Sequence, residues 1–564
     1  MIRDAIAAVK ATPLRGGLRW LFLLCAVYLA LLLLGMVTHY SPVPFWDGWG
    51  GRYSVLPQLE RNGWNAIIAQ HNEHRIVISR LLFLIDQQVF GDRGIFLYFL
   101  NAAFALFGAA LLVVFLRDSL GGLRGSYAMS GAVLIVALAV SWTQRENLAW
   151  AFQSQFFLAQ SLPLLGFYGL HRASMGHRRW FWAAAAAGVA SVGTMANGLI
   201  ALPLMAVIAV FLRLRWWQIA ALGVLAVVTS VLYLRGYQTP GHHGSPLESW
   251  LTTPLTNLHF VARYLGAPLR AAFAPPKWMC DIAGFIVMAG ALYAFVTALR
   301  SRKTPSTEWA LIGFLAFIGA TAAITAGGRS NFGVHVALAQ RYVTPALMAW
   351  MALGIIFAAR YAGWGRSHLK LVHGLLIAVL IVFLPVQIGG VDWGGKDRRN
   401  GRQAALAVGL GVFDPDRLAP RMPPTPGQFN VARQNVINGN HVFGWAPLNT
   451  LSEQMGQQTS VQLDEGGCTA RIVSTAPVVE NETWRVVYGA ASLDGDGRGA
   501  SYLRLVDAQS RLVGAVANRA RWPNGEPEKS ELAFLGYVQA DAEMPLRLAP
   551  FGDQGCAPLI AQSE

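Results

Sequence analysis

The residues best equipped for chemistry lie in one stretch after the first apolar run, HYSPVPFWDGWGGRYSVLPQLERNGWNAIIAQHNEHRIVISRLLF. Asp47 stands between Trp46 and Trp49. Paired tryptophans at such a place are ordinarily a membrane-surface anchor. A carboxylate between them is expected to be partly desolvated, which makes it a better proton acceptor. Farther on comes His71-Asn72-Glu73-His74-Arg75, then Arg80. Two imidazoles, a carboxylate and a guanidinium in five residues suit hydrogen bonding and positive charge at the mouth of a polar cavity. On a helix, His71 would share a face with His74 or Arg75, and Glu73 would point elsewhere. His-x-x-His alone is a weak zinc signal. No cofactor is otherwise indicated, and a divalent cation (Mg, Mn or Ca) held by Glu73 and a phosphate stays open as an alternative.

Three further polar clusters interrupt apolar sequence: TQRENLAWAFQSQ at 143–155, with Arg145, Glu146, Asn147, Gln153 and Gln155; TMANG at 194–198; and GRSNFGVHVALAQRY at 328–342, with Arg329, His335, Gln340, Arg341 and Tyr342. Polar groups at the edge of membrane helices are costly and usually face a cavity. In the topology derived next, all three fall on the same side as Asp47, which points to one extracytoplasmic site.

The elements that position these residues follow from composition. The chain has 564 residues, 54% hydrophobic and 13% charged, with mean hydropathy +0.40, against about 25% charged in soluble proteins. Apolar runs recur from Trp20 to Gly389, each long enough to cross roughly 30 Å of hydrocarbon. Backbone groups in lipid must be satisfied within the segment, so the runs are helices. They lie near 20–38, 94–116, 126–142, 148–170, 180–195, 197–213, 217–234, 281–299, 307–326, 343–359 and 371–388. The expectation is a polytopic α-helical membrane protein with about eleven transmembrane helices. The first run is too long for a signal core, and His39, Tyr40 and Pro42 follow it in place of a small-residue cleavage site.

The net charge of +15 sits largely in short loops. With a cytoplasmic N-terminus (Arg3, Lys10, Arg15, Arg19), five other connections rich in Arg and Lys are cytoplasmic, whereas the short opposite loops 143–147 and 327–341 hold only Arg145, Arg329 and Arg341. The basic excess is thus a topology signal, and the bilayer rather than nucleic acid is the expected partner. If the helices flanking Thr194–Gly198 were one, every later loop would change side. Three regions then lie outside the cytoplasm: a first loop 39–93, a second 235–280 and everything after 389. The expected domains are a membrane domain 1–390, a linker 391–440 containing the proline-rich DPDRLAPRMPPTPG, and an all-β domain 441–564. Short alternating segments parted by turns such as DGDG and PNGEP make a β-sandwich the simplest form. Cys468 and Cys556 bracket it as a candidate disulfide, with Cys280 near the same side.

No P-loop, dinucleotide glycine pattern, GxSxG or paired CxxC occurs. The cytoplasmic loops are too small for a nucleotide-handling domain, so an activated substrate is expected to be lipid-borne. One helix followed by a long external loop with an early acid resembles the GT-C fold glycosyltransferases, among them protein O-mannosyltransferases, the lipid A aminoarabinose transferase and the mycobacterial arabinosyltransferases. The resemblance covers roughly 1–390 in topology. In motif it rests on Trp46-Asp47-Gly48, HNEHR at 71–75, and Arg329 with Arg341-Tyr342. Many members carry two adjacent acids, or acid-x-acid, in the first loop; here Asp47 is followed by Gly48 and Trp49, so the resemblance implies a base there and not a metal ligand.

The resemblance implies an inverting transferase that moves a sugar from a polyprenyl-phosphate donor to an envelope glycan, lipid or protein on the periplasmic face. Asp47 would be the general base, with Glu73 as a second catalytic carboxylate. Arg75, Arg80, Arg329 and Arg341 would hold the donor phosphate. His71, His74, Glu146, Asn147 and Tyr342 would position acceptor, sugar or ion. The β domain would be carbohydrate-binding-like, with Trp445, Trp484 and Trp522 as stacking surfaces. The expected location is a bacterial inner membrane, with the C-terminal domain periplasmic. The rivals are an O-antigen-type polymerase or ligase, whose key loops usually come late in the chain, and a lipid-linked-sugar transporter or flippase, which would place charges deep within repeated helices.

Overall fold

A computed structural model describes residues 16–239, 245–301, 304–459, 462–463, 468–479, 481–493, 501–519, 532–550, 554–555 and 560–561. The chain divides into two compact units. One comprises Met1–Val37, Gln58–Leu82 and Phe96–Asp392; the other comprises Thr38–Pro57, Phe83–Ile95 and Trp393–Glu564. The expected first loop is thus shared between them.

Among the described residues, eight helices are long and apolar enough to cross a membrane: Gly17–His39, Ile95–Leu120, Ser126–Ala149, Trp216–Leu234, Lys277–Arg300, Ser306–Phe332, Gln340–Arg360 and Leu369–Leu410. This is the pattern of a multi-pass membrane protein. The other three expected spans are also helical, but differ from spanning helices by composition or length. Ser154–Ser174 carries Gln155, Gln160, Ser161 and His171. Arg179–Val192 and Ala201–Phe211 have only 14 and 11 residues. They are separate, with a 3₁₀ turn Ala196–Ile200 between them, so the break expected at Thr194–Gly198 is present.

The expected second loop contains helices Pro246–Thr252 and Pro254–Phe273. The latter buries Phe260, Tyr264 and Leu265 while its sequence carries Asn257, His259, Arg263 and Arg270. These polar residues lower its hydropathy below that of a spanning run, which is why it reads as a loop. It packs closely on Lys277–Arg300. A Cβ at Gly266 would lie 1.8 Å from the Cys280 carbonyl oxygen, and one at Gly284 would lie 1.7 Å from that of Ala262. Only glycine lets the two backbones approach so nearly. Asp281 fastens the same pair, accepting two 2.8 Å hydrogen bonds from Arg263.

A buried amide joins other helices. Gln387 accepts from the Trp142 backbone N–H at 2.8 Å and donates to the Tyr28 carbonyl at 2.9 Å. Tyr28 in turn donates to the Leu380 carbonyl at 2.7 Å. Such bonds hold helices together where lipid removes the ordinary hydrophobic drive.

The second unit is built on a curled antiparallel sheet. Its strands lie in the spatial order Arg547–Pro550, Tyr502–Val506, Leu512–Arg519, Leu532–Gln539, Asn481–Leu493, Cys468–Val478 and Ile560–Ala561, the last pairing parallel at the edge. One face buries Ile472, Val487, Leu503, Leu505, Val516 and Phe534 within the curl. The other face, through Tyr502, Ala515, Ala517 and Tyr537, packs on Ala404–Val408, Leu418, Phe429 and Phe443. Among the described residues the second layer is therefore helical, where the sequence suggests a second sheet. Residues 391–440, expected as a linker, instead carry helix to Leu410, then helices Pro415–Leu418 and Pro426–Ile437, and supply much of this core. Two of the prolines, Pro415 and Pro426, sit at helix starts, where a missing N–H costs nothing. The candidate disulfide involves Cys556, which lies outside the described residues, as does Trp522.

Candidate functional site

The HNEHR segment is a tight turn and not a helix. His71 N–H donates to the His74 carbonyl at 2.7 Å, and His74 N–H donates back at 2.9 Å. Asn72 takes a left-handed conformation, φ +50°, as asparagine tolerates in turns. The turn separates the two histidines. His71 lies beside the Phe152 ring, at 5.3 Å between centroids. Glu73 and His74 line a cavity of about 210 Å³ together with Arg329, Arg341, Tyr342 and Asn197. Gln160, Thr321, Tyr237 and Tyr264 complete the part that matters here.

Three sequence-distant clusters therefore meet in one place. Arg329 is the last residue of helix Ser306–Arg329, where a cation complements the helix dipole. It forms an ion pair with Glu73. Arg341 and Tyr342 sit in a 3₁₀ turn that opens the helix Val343–Arg360. Asn197 lies in the 3₁₀ turn after helix Arg179–Val192. Irregular backbone at the ends of membrane helices is tolerated where it lines a cavity.

The carboxylate and imidazole have defined roles. Burial by itself would raise the Glu73 carboxyl, but His74 and Arg329 outweigh it and hold it at about 2. His74 Nδ1 accepts from the Ala196 backbone N–H at 3.2 Å. Its hydrogen is therefore on Nε2, which faces Glu73 Oε1 at 3.6 Å. Glu73 is thus ionised and hemmed by two positive or donating groups. The one carboxylate of the cavity lining faces a guanidinium. Among the described residues there is also no group of three His, Cys, Asp or Glu placed to hold a metal.

Glu146 and Asn147, expected to position acceptor or ion, are not in the cavity lining but hold Arg341, which is. Glu146 accepts from the Arg341 backbone N–H at 3.2 Å and from its guanidinium at 3.4 Å. Asn147 donates to the Arg341 carbonyl at 3.0 Å and to Thr344 at 2.7 Å. Tyr342 stacks on Tyr264, at 4.8 Å between centroids. Tyr264 belongs to the helix that reads as a loop, and Gln160 lies inside an apolar-looking run. Neither stands out in the sequence, although a glutamine within a membrane helix is a signal of its own.

The other expected phosphate ligands are used elsewhere. Arg75 donates to the carbonyls of Tyr233, Ile68 and Arg235 at 2.8, 2.6 and 2.8 Å. Arg80 is 5% exposed and donates to the carbonyls of Ala66 and Ala69. Both guanidinium groups close the orphan carbonyls at the end of the short helix Asn65–Ile68.

Asp47 belongs to the second unit. It is exposed there, and the desolvation expected from Trp46 and Trp49 is not found. Trp49 is only 1% exposed, but its ring turns into the core, with Nε1 donating to the Arg421 carbonyl at 3.3 Å. Asp47 follows a left-handed Trp46 (φ +45°) and precedes a single π-helical turn, Gly48–Arg52. Arg52 anchors that turn in an ion pair with Asp86 and a 3.0 Å bond to Asp92. Two of the expected sugar-stacking tryptophans are also engaged within this unit: Trp445 carries the Arg93 guanidinium 5.3 Å from its centroid, and Trp484 packs on the core.

A second cavity of the membrane unit, about 960 Å³, is walled by side chains such as Leu116, Leu138, Leu347, Trp350, Leu376 and Phe383. It can take an apolar chain. The chain matches no protein-family profile, no curated protein and no solved structure.

Proposed function

We propose that this protein is an inverting membrane glycosyltransferase that takes a sugar from a polyprenyl-phosphate donor and passes it to an envelope glycan, lipid or protein on the outer face. One observation carries the reading: Arg329, Arg341, Glu73, His74 and Tyr342 line a single cavity of the membrane unit. Two guanidinium groups lining one cavity suit a phosphate beside a reacting hydroxyl. The larger apolar cavity supports a lipid-borne substrate.

In this mechanism the acceptor oxygen attacks the anomeric carbon from the face opposite the phosphate. The O–H proton passes to a carboxylate, the new C–O bond forms, and the bond from carbon to phosphate oxygen breaks. The phosphate leaves with the electron pair, and its growing charge falls on Arg329 and Arg341. His74 carries its hydrogen on Nε2, beside Glu73, and its Nδ1 already accepts from Ala196, so it orients Glu73 and does not take the proton. Asp47 and Glu73 are the two candidate bases. Glu73 is the one that lines the cavity, and it becomes a stronger base once a phosphate draws Arg329 away from it.

The test compares envelope glycans by mass spectrometry in a deletion strain complemented with wild type, Asp47→Asn, Glu73→Gln or Arg329→Ala, at matched membrane levels. Wild type should restore a missing sugar and Arg329→Ala should not. Whichever carboxylate variant fails to restore it names the base. If the deletion strain lacks no sugar, the transferase reading is wrong. A lipid-linked-sugar transporter is then the better reading, favoured by the presence of both cavities in one membrane unit.

A further inference from the structure

The cavity lining also includes uncharged amides. Gln160 is 2% exposed, and its Oε1 has no hydrogen-bond partner in the protein. Asn197 donates from Nδ2 to Thr321 Oγ1 at 3.3 Å, which leaves its Oδ1 buried and equally without partner. Both residues line the cavity. A buried amide oxygen left unmatched is costly, so such atoms mark where a ligand brings hydrogens. The same cavity is lined by the cations Arg329 and Arg341 and by the stacked pair Tyr264–Tyr342.

The ligand therefore carries an anion, hydrogen-bond donors and C–H faces. A bare phosphate or a phospholipid headgroup without hydroxyls would leave both amides unsatisfied. The size adds a limit. About 210 Å³ lies below the roughly 300–1,000 Å³ usual for drug-sized ligands, enough for one sugar ring and not for an oligosaccharide.

We infer that Gln160 and Asn197 read the sugar. Their amide oxygens accept hydroxyl hydrogens from a single monosaccharide unit whose phosphate lies on Arg329 and Arg341. This rests on the transferase reading, because it takes the arginine wall as phosphate-binding. It narrows that reading to a donor bearing one sugar, and it makes the two amides specificity residues with no part in bond breaking.

The experiment uses the full chain in lipid nanodiscs and isothermal titration calorimetry. The probes are inorganic phosphate and the 1-phosphates of glucose, mannose, galactose and arabinose. At least one sugar phosphate should bind tenfold or more tightly than inorganic phosphate. Gln160→Leu and Asn197→Ala should each remove about tenfold of that gain, the scale of one hydrogen bond to a buried group, and should leave inorganic phosphate unchanged. Arg329→Ala should weaken every probe. If inorganic phosphate binds but no sugar phosphate binds more tightly, or if the gain survives in both amide variants, the sugar-reading inference is overturned while the anion site stands. If neither inorganic phosphate nor any sugar phosphate binds wild type, the arginine wall is not a phosphate site and both readings fall. Asn197→Ala also breaks the Thr321 bond. Should it fail to fold, Gln160→Leu decides alone, since its Oε1 has no bond in the protein to lose.

Discussion

Glu73 and Arg329 neutralise one another across 256 positions of sequence, and an incoming phosphate must compete for that guanidinium. Removing the carboxylate charge should therefore help binding and harm turnover. Glu73→Gln is expected to tighten inorganic phosphate about tenfold by calorimetry and to slow sugar transfer at least 100-fold, the usual scale for a lost general base. Weaker phosphate binding in that variant would mean Arg329 needs Glu73 to hold its position. Asp92 behaves in the opposite sense. Burial raises its carboxyl to about 6, although Arg52 pulls it down. A folded value above the unfolded one means the folded state binds the extra proton. Asp92 thus costs stability at neutral pH, and the cost fades as pH falls from about 6 towards the unfolded value near 4. Comparing thermal midpoints at pH 7 and pH 5, Asp92→Asn should gain most over wild type at pH 7, by roughly 1–3 kcal/mol, and the gain should shrink at pH 5. An unchanged difference would show that Asp92 does not titrate in this window.

At the scale of elements, the helix Pro254–Phe273 decides the shape of the membrane unit, and its contact with Lys277–Arg300 depends on two glycines. Gly266→Leu or Gly284→Val would drive a side chain into a backbone carbonyl that cannot move aside. Either change should cost at least about 3 kcal/mol, seen as loss of a monodisperse peak and a lowered unfolding temperature in detergent. Gly223→Ala, which meets nothing within 4 Å, is the control and should match wild type. If the Gly266 variant unfolds like the control, the close packing described here is wrong. This helix also shows why part of the architecture is hard to read from sequence. Hydropathy detects what lipid touches, and Asn257, His259 and Arg263 are instead satisfied by protein, through Ser249 and Asp281. The 3₁₀ turns at 196–200 and 340–342 escape periodicity because each is a single turn.

At the scale of the whole molecule, the second unit draws on three stretches of chain. Trp49 enters its core, the Asn435 amide donates to the Trp49 carbonyl at 3.2 Å, and Arg52 joins Asp86 and Asp92. Residues 393–564 expressed alone should therefore lack a complete core. We expect dye binding typical of exposed apolar surface and no cooperative thermal transition. A chain joining 38–57 and 83–95 to 393–564 through flexible linkers should restore the transition. A cooperative transition in the 393–564 fragment would show that the tail folds without the first loop. The same arrangement makes the Asp47 turn part of the C-terminal unit. Deleting that unit would thus disturb Asp47 even if the tail itself never touches a sugar.

By itself the sequence determined what depends on local composition and period. The apolar runs specify a multi-pass membrane protein, the polar clusters at 71–75, 143–155, 194–198 and 328–342 interrupt apolar sequence, and the alternating tail specifies β-structure. Each follows from the energetics of a short stretch in lipid or water. The tertiary structure decided which polar groups are available. Four arginines are equivalent by type, yet Arg75 and Arg80 turn to backbone carbonyls because a short helix nearby leaves them unsatisfied, whereas Arg329 and Arg341 line the cavity. The tertiary structure likewise exposed Asp47, recruited the proline-rich segment into a core, and brought Gln160 and Asn197 to the lining of one cavity. These outcomes turn on pairings between residues far apart in the chain, and local sequence carries no record of which distant group will satisfy a donor or an acceptor.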